Sequence, residues 1–394
     1  MARFQAVFVR WPQTGGPTLS SRFSSWDIAH YLRLSQDGYE VDSPSCAFYP
    51  MWPAAIRLGT VMTGNRPVLA AMLLANVLSL AGLWLLFRLI ERHRGAVVSR
   101  DALILLLAFP GALFFSFPYT ESLYLVILML FFWGLELQRW FWAGLAGFLL
   151  PLTRPVGIFI VLPLGWFLFE QWRSAALVSG TAQGIHSQKG TKATKSLRYL
   201  RELLFIRSGT GVLPADFDAH GRDAHAASRC TSHWLLLLCP LLGYATYFVT
   251  MHAWTGNAFE GFEAQKAYPN SPSISNILNV AGFLNSLVNL HTVDGMLDAA
   301  LDRGFFVLFL ALLPAVWKLN RTWFWYTLPT GLIPALSNYF LSYRRFIMLC
   351  FPLFIVLAQL LAKGPRWMFW YYVILLAAMQ AWAVLRFVNF NWAG

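Results

Sequence analysis

Long apolar runs alternate with short charged segments along this chain of 394 residues. Crossing a bilayer takes about 20 predominantly apolar residues, and a lipid-exposed backbone must be helical to satisfy its own hydrogen bonds. The pattern therefore predicts an all-α integral membrane protein, a polytopic bundle of about ten transmembrane helices. The predicted spans lie near residues 66–90, 102–117, 119–137, 141–153, 156–170, 234–251, 304–317, 323–340, 346–362 and 367–387.

The stretch 141–170 is predicted to be broken. Pro151 and Pro155 bracket the pair Thr153-Arg154. Proline interrupts the hydrogen-bond ladder of a helix, and an arginine at mid-membrane is costly. Two short helices that meet at a polar break explain both features.

Basic residues concentrate in alternate connections between the spans. Arginines and lysines follow the first and third spans and crowd the segment 171–233, which the positive-inside rule places on the cytoplasmic face. The opposite face then receives residues 1–65, the break at Arg154 and the loop 252–303. Arg344-Arg345 lies on that face against the rule, and such a violation indicates a functional position.

This orientation divides the chain into four segments. An extracytoplasmic N-terminal segment, 1–65, precedes a first transmembrane group, 66–170. A basic cytoplasmic loop, 171–233, includes a flexible linker at 179–196. A second transmembrane group, 234–394, carries the extracytoplasmic loop 252–303. Residues 1–25 predict neither a cleavable signal peptide nor a spanning helix.

Composition supports the membrane assignment and excludes several other classes. Only 12% of the residues are charged, whereas soluble proteins carry about 25%. The net charge of +12 lies mostly in short loops, so membrane orientation explains it and no nucleic-acid partner is predicted. The aromatic content of 16% suits interfacial belts or a sugar-stacking pocket. The four cysteines lack metal-type spacing, and no metal site or disulfide framework is predicted.

The segment 24–59 is too polar to span and too aromatic for an ordinary loop. Ser24 or Ser25 could cap a short helix here, and residues 49–57 predict an interfacial helix along the membrane. The three- and four-residue spacing of helix neighbours would place four side chains on one face of the short helix. They are Asp27, His30, Tyr31 and Leu34.

Asp27 is the sharpest candidate for chemistry. A carboxylate within hydrogen-bond reach of an acceptor hydroxyl can remove its proton as a general base. The alternative is an acid that only compensates the helix dipole. Glu121 follows Pro118 at a predicted helix start, and it too could serve only to compensate the helix dipole. Its functional role would be to orient an acceptor hydroxyl or an arginine.

Five motifs, in order, resemble those of the GPI mannosyltransferase 2 (PIG-V) family of polytopic GT-C glycosyltransferases. They are Trp26-Asp27 with Tyr31, Gly38-Tyr39 and Ala47-Phe48-Tyr49-Pro50; Pro118–Leu123; Leu152–Gly157; Gly261–Ala267; and Ser342–Phe346 with Pro352-Leu353-Phe354. The resemblance covers most of the chain outside 1–22 and 171–233.

The resemblance implies a transferase that moves a sugar, by default mannose, from a polyprenyl- or dolichyl-phosphate donor to an acceptor hydroxyl, with inversion, on the extracytoplasmic face. The acceptor would be a glycolipid, a glycan or a protein. The implied location is a bacterial plasma membrane, or the endoplasmic reticulum membrane in a eukaryote. A requirement for a divalent cation is left open.

The site residues follow from the same resemblance and from charge. Asp27 would be the base, with Glu121 as the second catalytic carboxylate. Arginine binds phosphate bidentately, and the donor phosphate is assigned to Arg154, Arg344, Arg345 and Lys266. The substrate-binding residues are predicted to be Trp26, His30, Tyr31, Tyr119 and Gln265.

Two other functions are open from the sequence. A transporter or flippase for lipid-linked sugars would show repeated halves with matching broken helices, and the break in 141–170 has no clear counterpart. A non-catalytic scaffold would tolerate the loss of Asp27.

Overall fold

The computed structural model describes residues 18–185, 233–268, 271–290 and 296–391, and within them the chain forms helices and no strand. The α-helices are α1 Leu19–Arg22, α2 Asp27–Asp37, α3 Met51–Met62, α4 Pro67–Arg94, α5 Ala96–Ala108, α6 Leu113–Ser116, α7 Glu121–Glu136, α8 Trp140–Thr153, α9 Val161–Ile185, α10 Leu238–Thr255, α11 Glu260–Gln265, α12 Val280–Val288, α13 Met296–Leu319, α14 Arg321–Asn338, α15 Tyr343–Ile347, α16 Phe351–Leu361 and α17 Arg366–Val388. Short 3₁₀ helices cover Pro44–Ala47, Pro110–Ala112, Pro155–Ile160, His233–Leu237 and Ile274–Leu278.

Five helical stretches in the described part of the chain are long and apolar enough to cross a membrane: Pro67–Arg94, Pro155–Ala175, His233–Thr255, Met296–Leu319 and Arg366–Val388. A sixth would be the pair Ala96–Ala108 and Pro110–Ser116, which bends by 76°. The all-helical membrane class is thus confirmed, while ten spans stay a prediction. The difference lies in shorter apolar helices such as α8 and α16.

The predicted break in 141–170 is confirmed. Helix α8 ends at Thr153, Arg154 has extended backbone, and a 3₁₀ helix starts at Pro155. Gly157 lets the chain double back tightly, because a Cβ there would lie 2.3 Å from the carbonyl oxygen of Leu150. The polar break therefore holds Arg154 between two closely packed segments.

The predicted loop 171–233 begins later than expected. Helix α9 continues to Ile185, so residues 179–185 of the predicted linker are helical. Residues 186–232, with three of the predicted loop's four histidines, lie outside the described residues, as do residues 1–17. The fourth, His233, stacks on Trp140 with ring centroids 4.1 Å apart.

The predicted helix around Asp27 is confirmed, but its cap is not. The predicted face, formed by Asp27, His30, Tyr31 and Leu34, is buried in α2. The expected capping by Ser24 or Ser25 is wrong. Trp26 occupies the cap position at φ 58°, and its side chain makes no capping hydrogen bond. A non-glycine residue with positive φ stores backbone strain of about 1–3 kcal/mol, and here it directly precedes the candidate base.

Helix α3 overlaps the predicted interfacial helix at residues 49–57 and connects the N-terminal region to the bundle. Its outer face exposes Leu58, Val61 and Met62, the pattern of a helix lying against lipid. Its inner face buries Trp52, whose indole Nε1 donates to the carbonyl oxygen of Pro118 at 3.1 Å. This bond joins the segment that carries Asp27 to the turn that carries Glu121.

Candidate active site

A cavity of about 410 Å³ lies where the N-terminal helices, the break after α8 and the connection between α14 and α15 meet. Asp27, Arg154 and Arg345 line it together with Trp26 and Tyr31. Most of the remaining lining is apolar or aromatic. A largely apolar cavity with a few convergent charged groups is the usual form of a ligand site.

Arg345 connects the two predicted carboxylates. Its Nη1 pairs with Asp27 Oδ2 and its Nε with Glu121 Oε1, and its Nη2 lies 3.4 Å from the hydroxyl oxygen of Tyr31. Glu121 is fully buried, whereas the Asp27 side chain retains 11% of its exposure. Among the described residues only Arg345 bonds to the Asp27 carboxylate, at Oδ2, so Oδ1 has no hydrogen bond from any of them.

Arg154 joins the same cluster through Glu121. Its Nη1 pairs with Glu121 Oε1 and donates to Thr120 Oγ1 at 3.2 Å. The guanidinium also stacks over Phe346, 4.9 Å from the ring centroid. Its Nε and Nη2 make no hydrogen bond to a described residue, although Arg154 lines the cavity. These two nitrogens are the donors that a bound anion can use.

Two aromatic rings pack against the guanidinium of Arg345. The guanidinium lies 4.5 Å from the ring centroid of Tyr119 and 5.2 Å from that of Phe114, a cation–π arrangement. Tyr119 is fully buried and does not line the cavity, so it supports the cluster. Burial raises the pKa of Tyr31 to about 12, partly opposed by Arg345. The Tyr31 phenol is therefore protonated at pH 7 and can donate a hydrogen bond.

Two predicted phosphate-binding residues lie outside the cavity. Arg344 is 1% exposed and pairs with Asp298 and Asp302 instead of lining the cavity. Lys266 is 68% exposed and pairs with Glu263. Both residues differ from the prediction for the same reason: each cation pairs with a carboxylate that lies outside the cavity. Gln265, next to Lys266, does line the cavity.

His30 is buried away from the cavity. Its Nδ1 lies 2.8 Å from Ser45 Oγ, and its ring stacks on Phe48 at 4.9 Å. Burial lowers the pKa of His30 from 6.5 to about 4, partly opposed by the charge of Asp27. The imidazole is therefore neutral at pH 7 and joins the N-terminal helix to the 3₁₀ turn.

Because the folded pKa of His30 is depressed, the unfolded chain binds the extra proton between pH 6.5 and 4. We expect the stability from neutral His30 to be present above pH 6.5 and to be lost as pH falls toward 4. The shift corresponds to about 3 kcal/mol. The Tm in detergent should fall more steeply from pH 7 to pH 4.5 in the wild type than in His30→Gln; equal slopes would contradict the assignment.

Several cavity residues were not predicted. Thr120 falls inside a quoted motif and bonds to Arg154, yet no role was assigned to it. Tyr244 and Tyr268 come from separate segments and carry no local spacing signal. Outside the cavity, the pair Asp298 and Asp302 did carry a signal, because two acids four residues apart at the edge of an apolar run share one helix face.

Fold and site together define a helical membrane protein with a charged, aromatic-lined cavity. In the described ranges no group of three or more His, Cys, Asp or Glu side chains is placed to hold a metal ion. Over residues 16–179 the chain matches the family model for mannosyltransferase (PIG-V), and this match supports a glycosyltransferase of that family. No curated protein matches the chain. The matched region contains Asp27, Glu121 and Arg154.

Proposed function

We propose that the chain transfers mannose from a polyprenyl-phosphate donor to an acceptor hydroxyl on the extracytoplasmic face, with inversion. The observation that carries this proposal is the cavity in which the Asp27 carboxylate and the guanidiniums of Arg154 and Arg345 converge. Such a set provides a base for a hydroxyl proton and cations for a phosphate. The choice of mannose as the transferred sugar rests on the match to the PIG-V family model.

The apolar part of the lining suits the lipid of the donor. Val156, Ile158 and Phe159 follow Arg154 directly, and Ile333 and Pro334 come from α14, which contacts both the 3₁₀ helix 155–160 and the 3₁₀ helix 274–278. An isoprenoid chain against these side chains would place its phosphate at Arg154. The Nε and Nη2 of Arg154, which no described residue bonds, would then bind the phosphate in a bidentate manner.

The aromatic part of the lining suits the acceptor. Phe48, Tyr49, Tyr244, Phe262 and Tyr268 line the cavity from the N-terminal segment, α10 and the region around α11. Aromatic rings offer flat faces with one polar edge, which can pack against a sugar while hydroxyls bond elsewhere. An acceptor placed here would present its hydroxyl to Asp27 Oδ1.

The transfer step uses these groups in a single displacement. The acceptor oxygen attacks the anomeric carbon, its proton passes to Asp27, and the bond between the anomeric carbon and the phosphate oxygen breaks. The electron pair of that bond leaves with polyprenyl phosphate, whose charge grows from about −1 to about −2. Attack opposite the leaving group inverts the anomeric carbon.

Arg345 would link the protonation of Asp27 to the growing negative charge of the leaving phosphate. The cluster of Asp27, Glu121, Arg154 and Arg345 is formally neutral before the donor binds. When Asp27 takes the proton, Arg345 loses half of its carboxylate partners while the leaving phosphate gains charge. The freed guanidinium charge then stabilises the phosphate in a water-poor site, where such interactions are strong.

The proposed face is supported by the distribution of basic residues along the sequence, which the positive-inside rule assigns to the cytoplasm. Impermeant thiol labelling of intact cells would check it, in a background without the four native cysteines. A cysteine replacing the exposed Glu263 should react from outside, and one replacing the exposed Arg139 should not. The reverse pattern would overturn the orientation.

The activity itself is tested with purified protein in liposomes that contain polyprenyl-phosphate mannose and a panel of mannosides and glycolipids. We expect release of polyprenyl phosphate together with a mannosylated acceptor, and no reaction with nucleotide-activated mannose. Translocation of intact donor between leaflets without cleavage would instead identify a flippase. Use of the nucleotide sugar alone would reject the proposed donor.

Arg154→Ala is expected to raise the apparent KM for the donor about 10- to 100-fold. The substitution removes charge-assisted hydrogen bonds to phosphate, each worth about 1.5–3 kcal/mol. Glu121 keeps its pair with Arg345, so the carboxylate does not become an isolated buried charge. The measurement is the initial rate against donor concentration in proteoliposomes.

Lys266→Ala is the matched control for Arg154→Ala. It removes a cation of the same predicted role, but one that is exposed and paired with Glu263 outside the cavity. We expect its donor KM to match the wild type. A donor KM that responds to Lys266→Ala and not to Arg154→Ala would reject the placement of the phosphate.

A further inference from the structure

A second buried charge network lies on the other side of the segment that carries Arg345. Arg344 Nη2 donates to Asp298 Oδ1 at 2.6 Å, and its Nε lies 2.9 Å from Asp302 Oδ1. Arg386, near the end of α17, pairs with the other oxygen of Asp298. The exposed fractions of Arg344, Asp298 and Asp302 are 1%, 1% and 2%. The network therefore joins α13, α15 and α17 inside the protein.

Arg344 and Arg345 point into different surroundings because successive residues of a helix are about 100° apart. Arg345 faces the two carboxylates of the cavity, and Arg344 faces the two carboxylates of α13. The backbone N–H of Arg344 also donates to Asp302 Oδ1 at 3.3 Å. On the remaining side the segment lies against Gly111, where a Cβ would come within 2.7 Å of the Arg344 carbonyl oxygen.

The chain enters this segment through strained backbone. Tyr339, Phe340 and Ser342 have positive φ angles of 50°, 68° and 58°. Each such non-glycine residue costs about 1–3 kcal/mol and persists only where its surroundings hold it. Helix α15 has only five residues, so its own hydrogen bonds cannot hold it in place. The buried ion pairs of Arg344 with Asp298 and Asp302 therefore restrain it.

We propose that Arg344 is a positioning residue: the Arg344–Asp298–Asp302–Arg386 network holds α15 so that Arg345 meets Asp27 and Glu121 together. This inference rests on the proposed function. Loosening the network would let Arg345 shift, and Asp27 would lose its alignment toward the acceptor. Donor capture would persist, because Arg154 is held by Glu121 and Thr120 on other elements.

The expected signature is a lower kcat with an unchanged donor KM. A misplacement of about 1 Å can cost on the order of 100-fold in rate, and we expect a loss of about 10- to 100-fold. Asp302→Asn keeps the shape of the side chain and removes its charge. Arg344→Lys keeps the charge but replaces the guanidinium fork with a point charge that cannot hold both carboxylates as well.

The test measures kcat and donor KM of both variants per folded site, with folded sites counted by binding of polyprenyl-phosphate mannose. Asp101→Asn is the matched control. Asp101 is also 2% exposed and pairs with Arg366, at the other end of α17, about 30 Å from Arg386 by helical rise. Its kcat per folded site should equal that of the wild type.

Wild-type kcat per folded site in both Asp302→Asn and Arg344→Lys would overturn the proposal, even if their yields fell. A donor KM that rises with the loss of kcat would also overturn it, since Arg344 would then act in donor binding. These failures are distinct from failure of the proposed function, because Asp27→Asn would still be inactive.

Discussion

Asp27→Asn is expected to lower kcat for sugar transfer about 1000-fold while the protein still folds and binds donor. General bases contribute on the order of 10²- to 10⁴-fold to the rate, and the amide of asparagine cannot take the proton from the hydroxyl that attacks. The substitution preserves the shape of the side chain, and its Oδ1 can still receive a hydrogen bond from Arg345. The measurement is single-turnover transfer in proteoliposomes at saturating donor.

The control for Asp27→Asn is Asp37→Asn, at the other end of the same helix. Asp37 is exposed and does not line the cavity, so transfer should be unchanged. Near-normal turnover in Asp27→Asn would rule out the base assignment. An equal loss in both variants would show that helix α2, and not the carboxylate, is what the reaction requires.

Arg345→Met is expected to reduce both stability and activity. It leaves Asp27 without its guanidinium partner, and breaking a buried ion pair from one side costs about 3–5 kcal/mol. Glu121 keeps Arg154. We expect a lower Tm in detergent and a loss of transfer of at least about 100-fold, because removing one stabilising group of an active site typically costs that much.

A double variant separates the two effects of Arg345→Met. Adding Asp27→Asn removes the unpaired carboxylate, so the Tm should recover toward that of the wild type. Transfer should stay at the level of Asp27→Asn alone. Recovery of activity in the double variant, or no recovery of Tm, would contradict the pairing of Asp27 with Arg345.

Local sequence patterns predicted the elements of the site well. The face formed by Asp27, Tyr31 and their neighbours follows from helical spacing alone, and the break at Arg154 follows from prolines flanking a charge. Both depend on residues close together in the chain. The same pattern could not place His30, because its contact with Ser45 depends on a turn 15 residues away.

Roles assigned by charge were less reliable. Arg344 and Arg345 are identical and adjacent, and both were assigned to the donor phosphate. The structure directs Arg345 to Asp27, 318 residues away, and Arg344 to Asp298, 46 residues away. A buried arginine must meet a carboxylate or another acceptor, but many acids in the chain could serve. The choice depends on which helices pack together.

Local patterns in the chain establish a membrane protein of apolar helices. They also establish where its long span breaks and which polar residues are too costly to bury unpaired. These properties arise from local hydrogen bonding and from the transfer of side chains between water and lipid. Tertiary structure alone decided that Asp27, Glu121, Arg154 and Arg345 form one cluster and that Arg344 belongs to another. Ion pairs form across any separation in sequence, and only the packing of the helices brings particular charges within a few ångströms.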